Sequence, residues 1–330
     1  MDLARVLALI ERPGVAAQLC VLRDGETVLE RSVGAARDEP FLLFSAGKPL
    51  TAMLVHRLAA QGAFGLDDPI ARHWPEFAEA GKDAVTIRQV LQHRSGIPYG
   101  KSLARDAVLA PNWGRSVRAL AQARPRFAAG QVPAYHVLSF GFLLGEVVQR
   151  VTGEPFGVVL KREMLDRLGM TGTRLGGPGR SVPLAGGIGV RRVIFNRPFF
   201  REAPIPAATV LGTARDLATF YHAMLDEPAC LQARTPSSDG ETDRVLGVPI
   251  RWSQGFQLGG PSGTDPNRHR PMGRPSSPLT FGHNGSNACL GWADPTRRLV
   301  VAYLTNRLEG KPAGSPHQCA ISEALLADEA

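Results

Sequence analysis

Strand-like runs lie at both ends of this chain, and helical runs fill its middle. Residues 15–22 read as a strand. Asp24-Gly25 is a hairpin signal, and residues 26–33 form the returning strand. Near the other end, residues 250–257, 279–283, 288–294 and 299–305 also read as strands, with turns such as Asp294-Pro295-Thr296-Arg297 between them. One sheet must therefore be assembled from both ends of the chain. The expected class is α+β, an antiparallel sheet flanked by helices with a mainly helical lobe beside it. Residues 1–64 and 245–330 would form the discontinuous sheet lobe and residues 65–244 the helical lobe, with the active-site cleft between them.

The helical runs carry their own punctuation. A short helix at 3–10 ends at Pro13-Gly14. A buried helix starts at Ser45 and ends near Gly62. Leu66-Asp67-Asp68-Pro69-Ile70 turns into another short one. Thr86 is an N-cap for a helix reaching residue 91. Residues 138–151 are apolar enough to be buried, and Gly153 closes them. Thr213 caps a helix to about residue 225, and the last helix spans 316–326. Residues 172–206 are rich in Gly and Pro and predict long loops. Residues 235–243 are polar and predict a mobile stretch, and 261–277 read as an inserted loop. There is no internal repeat.

Within this frame Ser45-Ala46-Gly47-Lys48 carries the chemistry. Residues three apart share a helix face, so the Lys48 amine can reach the Ser45 hydroxyl. The first helical turn also offers free backbone N–H groups and a positive dipole end, which suit an oxyanion. Lysine is scarce here and arginine does most of the basic work. Arginine cannot act as a base, so a lysine kept at this place suggests a proton acceptor. A nucleophile and base of this kind need neither metal nor cofactor. The bland alternative is a plain helix start with Ser45 as its cap.

Composition narrows the classes. At 330 residues and 44% hydrophobic, the chain can bury a sizeable core. The net charge of +8 comes from scattered arginines without a long basic run, which argues against nucleic acid. Cys20, Cys230, Cys289 and Cys319 are far apart and form no Cys-x-x-Cys pair, so free thiols and a cytoplasmic setting are expected. No apolar run is long enough to span a bilayer, and Met1 to Arg5 lacks the basic start of a secretory signal.

Taken in order, the motifs resemble the serine β-lactamase and penicillin-recognising superfamily, in its class C and family VIII-like carboxylesterase branch. Phe44-Ser45-x-x-Lys48-Pro49-x-Thr51-Ala52 is similar to the first motif of that family. Leu66-Asp67-Asp68-Pro69-Ile70 with Trp74-Pro75-Glu76-Phe77, then Leu91-x-His93-x-Ser95-Gly96, resemble its next segments. Phe281-Gly282-His283-Asn284-Gly285, followed by Asp294-Pro295 and Thr305-Asn306, resembles its third motif and the strands after it.

The resemblance implies a β-lactamase/transpeptidase-like fold and further site residues. Tyr135, in Tyr135-His136-Val137, takes the place of the second-motif tyrosine and would share proton transfer with Lys48. A nearby ammonium would ease ionisation of its phenol, and the two groups would titrate as a unit. His283 would point into the cleft. Gly285 would let backbone approach the substrate. The Ser286 N–H, with that of Ser45, would form the oxyanion hole. His93 with Ser95-Gly96 reads as structural. Two departures matter: Val137 stands where the family has asparagine, and His283 where it often has lysine. Both point toward esters rather than lactams or peptide carboxylates.

The expected activity is thus hydrolysis of a small-molecule acyl substrate through an acyl-enzyme on Ser45. Acyl transfer, or lactam or peptide hydrolysis, would use the same residues. A non-catalytic binding protein on this fold is the alternative outside enzymes. An α/β-hydrolase would need a Gly-x-Ser-x-Gly elbow, and Asn284-Gly285-Ser286-Asn287-Ala288 fails at both glycine positions. No motif specifies an oligomeric state.

Overall fold

The computed structural model describes residues 1–186, 189–260, 270–308 and 316–327. Its strands are β1 (Ala17–Arg23), β2 (Glu26–Val33), β3 (Phe41–Leu42), β4 (Arg174–Leu175), β5 (Val210–Gly212), β6 (Gln257–Leu258), β7 (Phe281–Gly285), β8 (Cys289–Asp294) and β9 (Leu299–Thr305). Six of them form one antiparallel sheet in the order β2-β1-β9-β8-β7-β6. The two ends of the chain meet at β1 and β9, in register from Ala17 opposite Thr305 to Arg23 opposite Leu299. Asp24 and Gly25, both at positive φ, make the β1–β2 turn as the Asp-Gly signal requires.

Alternation along the central strands decides which helices cover which face. Leu299, Val301 and Tyr303 of β9 pack with Leu19, Val21 and Trp292 beneath the terminal helices Leu3–Ile10 and Pro316–Leu326. Val300, Ala302 and Leu304 face the opposite way, into the larger core that contains helix Lys48–Ala60 and helix Ala214–Ala223. Strands covered on both faces lose the polar alternation of a half-exposed sheet, and every residue of β8 and β9 is buried.

Predicted capping is observed directly. Thr86 and Gln89 form a reciprocal capping box on helix Ile87–Leu91. Thr213 caps helix Ala214–Ala223, and Gly153 ends helix Ser139–Thr152 at φ 71°. All four cysteines are free thiols. Among the described residues, no helix is long and apolar enough to cross a membrane.

Three expectations change. The run at 250–257 is not a strand: only Gln257–Leu258 joins the ladder, because the Ser253 N–H bonds the Phe256 carbonyl and closes a turn. Residues 172–206 are more than loops, holding β4 and the helices Gly189–Phe195 and Pro198–Arg201. Strand β4 joins β3 and β5 in a second sheet, order β3-β5-β4, built from strands of two or three residues that leave no periodic trace. The polar stretch at 235–243 ends in Asp243, which is wholly buried and hydrogen-bonded, not mobile. Residues 261–269 of the expected inserted loop lie outside the described residues.

Trp292 joins the sheet to the last helix, wholly buried with its Nε1–H donating to Ser322 Oγ at 3.2 Å. Trp292→Ala should cost about 3–5 kcal/mol, read as a lower denaturation midpoint at unchanged slope.

Candidate active site

Ser45 does not open an α-helix directly. It sits in a 3₁₀ turn, Phe44–Gly47, which hands over to helix Lys48–Ala60. Phe44, the residue before it, is held at φ 51°, a conformation a bulky side chain rarely adopts. Strand β5 fixes the entry, where Leu43 N–H bonds the Val210 carbonyl at 2.9 Å. On the other side, Gly285 at the end of β7 lies against the same turn. A Cβ there would run into the Leu43 carbonyl and come within 2.9 Å of Ala46 N. The missing Cβ at Gly285 lets the β7 backbone close on the Ser45 turn.

Lys48 lies one turn on and is fully buried. Its Nζ is 3.0 Å from Ser45 Oγ and donates to the carbonyls of Val137 (2.8 Å) and Ala207 (3.2 Å). The Ala207 loop comes this close because Gly141, inside helix Ser139–Thr152, has no Cβ; one there would meet Ala207 N at 2.5 Å. No carboxylate pairs with Lys48 among the described residues. Burial alone pushes its pKa well below the ordinary lysine value.

Tyr135 completes the group. Lys48 Nζ lies 5.0 Å from the centre of its ring. The phenol is not eased toward ionisation as the neighbouring amine led us to expect. Burial is the dominant influence and raises its pKa, while its interaction with the Ser45 side chain pulls the other way and nearby Asp243 raises it further. Desolvation thus drives both groups the same way, toward neutral amine and neutral phenol.

His283 lies beside Tyr135. Its ring is buried, 6.1 Å from Tyr135 and 5.9 Å from Trp252, with Nδ1 2.7 Å from the Asn284 carbonyl. Ser286 is exposed at the tip of the β7–β8 hairpin, where it and Asn287 take positive φ. His93 and Ser95 are both buried beside His136. Ser95 Oγ lies 2.5 Å from His136 Nε2, and His93 Nδ1 accepts from His136 N–H at 3.2 Å. Burial drives the pKa of His136 down to about 3. Among the described residues, no group of three or more His, Cys, Asp or Glu side chains is placed to hold a metal.

The family model described as Beta-lactamase matches residues 4–325. The chain belongs to the beta-lactamase family. The esterase/beta-lactamase LipL of Mycobacterium tuberculosis is 27% identical over 344 residues, spanning 88% of this chain and 76% of its own length. The esterase EstB of Burkholderia gladioli is 33% identical over 188 residues, 49% of this chain and 47% of its own. A penicillin-binding protein homologue from Caulobacter crescentus superposes with a TM-score of 0.78 at 27% identity, over 98% of this chain and 97% of its own. A family VIII carboxylesterase shares the fold with a TM-score of 0.80 at 24% identity, over 98% and 96%. The β-lactamase/transpeptidase-like fold read from the motifs is therefore the fold of this chain, and its relatives support hydrolase activity in general.

Four groups packed around Lys48 and Tyr135 were not foreseen: the Val137 and Ala207 carbonyls, Asp243 and Trp252. Main-chain acceptors leave no residue signature. The isolated Gly141 within an apolar helix was the one available hint of a close backbone approach.

Gly285→Ala should destabilise the chain by about 1–3 kcal/mol through overpacking against the Leu43–Ala46 backbone. Ser286→Ala, at an exposed hairpin tip, should leave the unfolding midpoint nearly unchanged, within about 0.5 kcal/mol.

Proposed function

We propose that this protein is a serine hydrolase that cleaves carboxylic esters through an acyl-enzyme on Ser45. The observation that carries this is the fully buried Lys48 amine, 3.0 Å from Ser45 Oγ and, among the described residues, without a carboxylate partner. A neutral amine has two N–H donors and one lone pair. With the two donors given to the Val137 and Ala207 carbonyls, the lone pair is left for the Ser45 hydroxyl.

In this reading Ser45 Oγ attacks the ester carbonyl carbon and its proton passes to Lys48 Nζ. The backbone N–H groups of Ser45 and Ser286 would hold the resulting oxyanion. Collapse breaks the bond to the leaving alcohol, which takes its proton from the Tyr135 phenol, and Lys48 reprotonates Tyr135. Water then attacks the acyl-enzyme, with the proton transfers reversed. Lys48 and Tyr135 would act as one coupled unit, with the amine as the resting acceptor.

Esters are favoured over lactams by two replacements. Val137 offers no side-chain amide, and its side chain packs beside Tyr135 and Trp252. His283 offers no flexible cation to a substrate carboxylate and is covered.

Intact mass after reaction with a fluorophosphonate, with turnover of p-nitrophenyl butyrate and nitrocefin, tests the reading. Wild type should gain one adduct, absent in Ser45→Ala, and should turn over the ester in preference to nitrocefin. Ser45→Ala should lose at least about 10³-fold in ester turnover. Lys48→Arg places a permanently protonated group with no available lone pair there, and should lose about 10²–10⁴-fold. Wild-type turnover in Lys48→Arg would refute the mechanism.

A pH profile gives an independent check. Lys48 must be neutral to accept the proton, so kcat/KM should rise with pH through its depressed pKa. That rising limb should disappear in the residual activity of Lys48→Arg.

A further inference from the structure

Asp243 is buried, yet no ion pair reaches it among the described residues. It is stabilised instead by four N–H donors. Its Oδ1 accepts from the main chain of Tyr135 (3.1 Å), Val245 (2.9 Å) and Leu246 (2.9 Å). Its Oδ2 accepts from Trp252 Nε1 at 3.0 Å. Trp252 in turn lies flat on the Tyr135 ring, with centroids 5.2 Å apart and planes 5° from parallel. One carboxylate thus grips the tyrosine by its backbone and also orients the indole that covers its ring. A second tie, from Arg244 N–H to the Pro133 carbonyl at 2.9 Å, holds the same two segments together.

We propose that Asp243 is a positioning residue for the Tyr135 phenol, acting through Trp252 to keep that phenol aimed at Ser45. The proposal rests on the proton role given to Tyr135 above. Fixing both the main chain and the ring plane of one residue leaves its hydroxyl little freedom. A mis-set proton donor is costly, since a displacement near 1 Å can cost about 10²-fold in rate. The groups that face the Tyr135 ring are Lys48, His93, His283 and Asp243, with Ser45 at the hydroxyl. Asp243 is the one carboxylate among them, so it also helps to keep the phenol protonated.

Two substitutions break the indole bond from opposite ends. In Asp243→Asn the amide oxygen can keep the three main-chain donors, but its NH₂ then faces the indole N–H. In Trp252→Phe the ring remains and the N–H is gone. Asp243→Asn should lower kcat for p-nitrophenyl butyrate about 10–100-fold, with KM within about twofold. Trp252→Phe should lose less, about tenfold. The double variant removes the clash of two donors, so it should recover at least about threefold over Asp243→Asn alone.

Thermal melts and fluorophosphonate labelling of each variant correct the rates for folded, active protein. If Asp243→Asn and Trp252→Phe only melt earlier, with wild-type kcat and no recovery in the double variant, Asp243 is merely structural and the proposal is overturned. Tyr135→Phe separates this from the broader reading. Wild-type turnover in Tyr135→Phe would remove the proton role of Tyr135 itself. An inactive Tyr135→Phe beside a normal Asp243→Asn would overturn the positioning role alone.

Discussion

A lysine amine buried beside a serine, with carbonyls rather than a carboxylate around it, is the constraint on which the site depends. Taking an ammonium out of water is costly, and a carboxylate would have repaid that cost by holding the charge. Here, among the described residues, the fold gives Lys48 the Ser45 hydroxyl and the carbonyls of Val137 and Ala207. The cheaper response to burial is loss of the proton. The same dry surroundings hold Tyr135 in its protonated form. Exclusion of water is the dominant influence on both groups.

That exclusion is a property of the whole architecture. The Ser45 turn is clamped between β5, which pairs with Leu43, and Gly285 at the end of β7. Strand β7 reaches its place through β8 and β9, and β9 is anchored on β1 from the other end of the chain. Helix Ser139–Thr152 adds Gly141, against which the Ala207 loop rests. Four separated stretches of sequence therefore converge on a volume a few ångströms across, and the strained Phe44 persists because they over-determine it.

What the sequence disclosed follows from how local each feature is. The Ser45–Lys48 pair was legible because one helical turn fixes its spacing. The strands at the two ends, the Asp24-Gly25 hairpin and the Thr86 and Thr213 caps were legible for the same reason. Tyr135 and the fold type needed the order of motifs as a whole, and family membership bears out the fold. The second sheet was invisible because strands of two or three residues cannot show a period. The direction of the Tyr135 shift was misjudged because the neighbouring amine was read from the motif, while burial, which outweighs it, is a property of the packed chain. Asp243 was missed at the end of a polar run, where composition suggests a loop and only the fold reveals four convergent N–H donors.

The buried carboxylate at Asp243 and the buried amine at Lys48 flank the same tyrosine, yet they are satisfied in opposite ways. Asp243 is surrounded by four N–H donors. Lys48 meets acceptors, but only one side chain among them, the hydroxyl it would deprotonate. Had the two been paired directly, Lys48 would hold its proton and could not take one from Ser45. Keeping the negative charge behind the tyrosine, tied up by amides and an indole, leaves the amine free to be neutral. The separation of these two groups is thus as much a part of the design as the contact between Lys48 and Ser45.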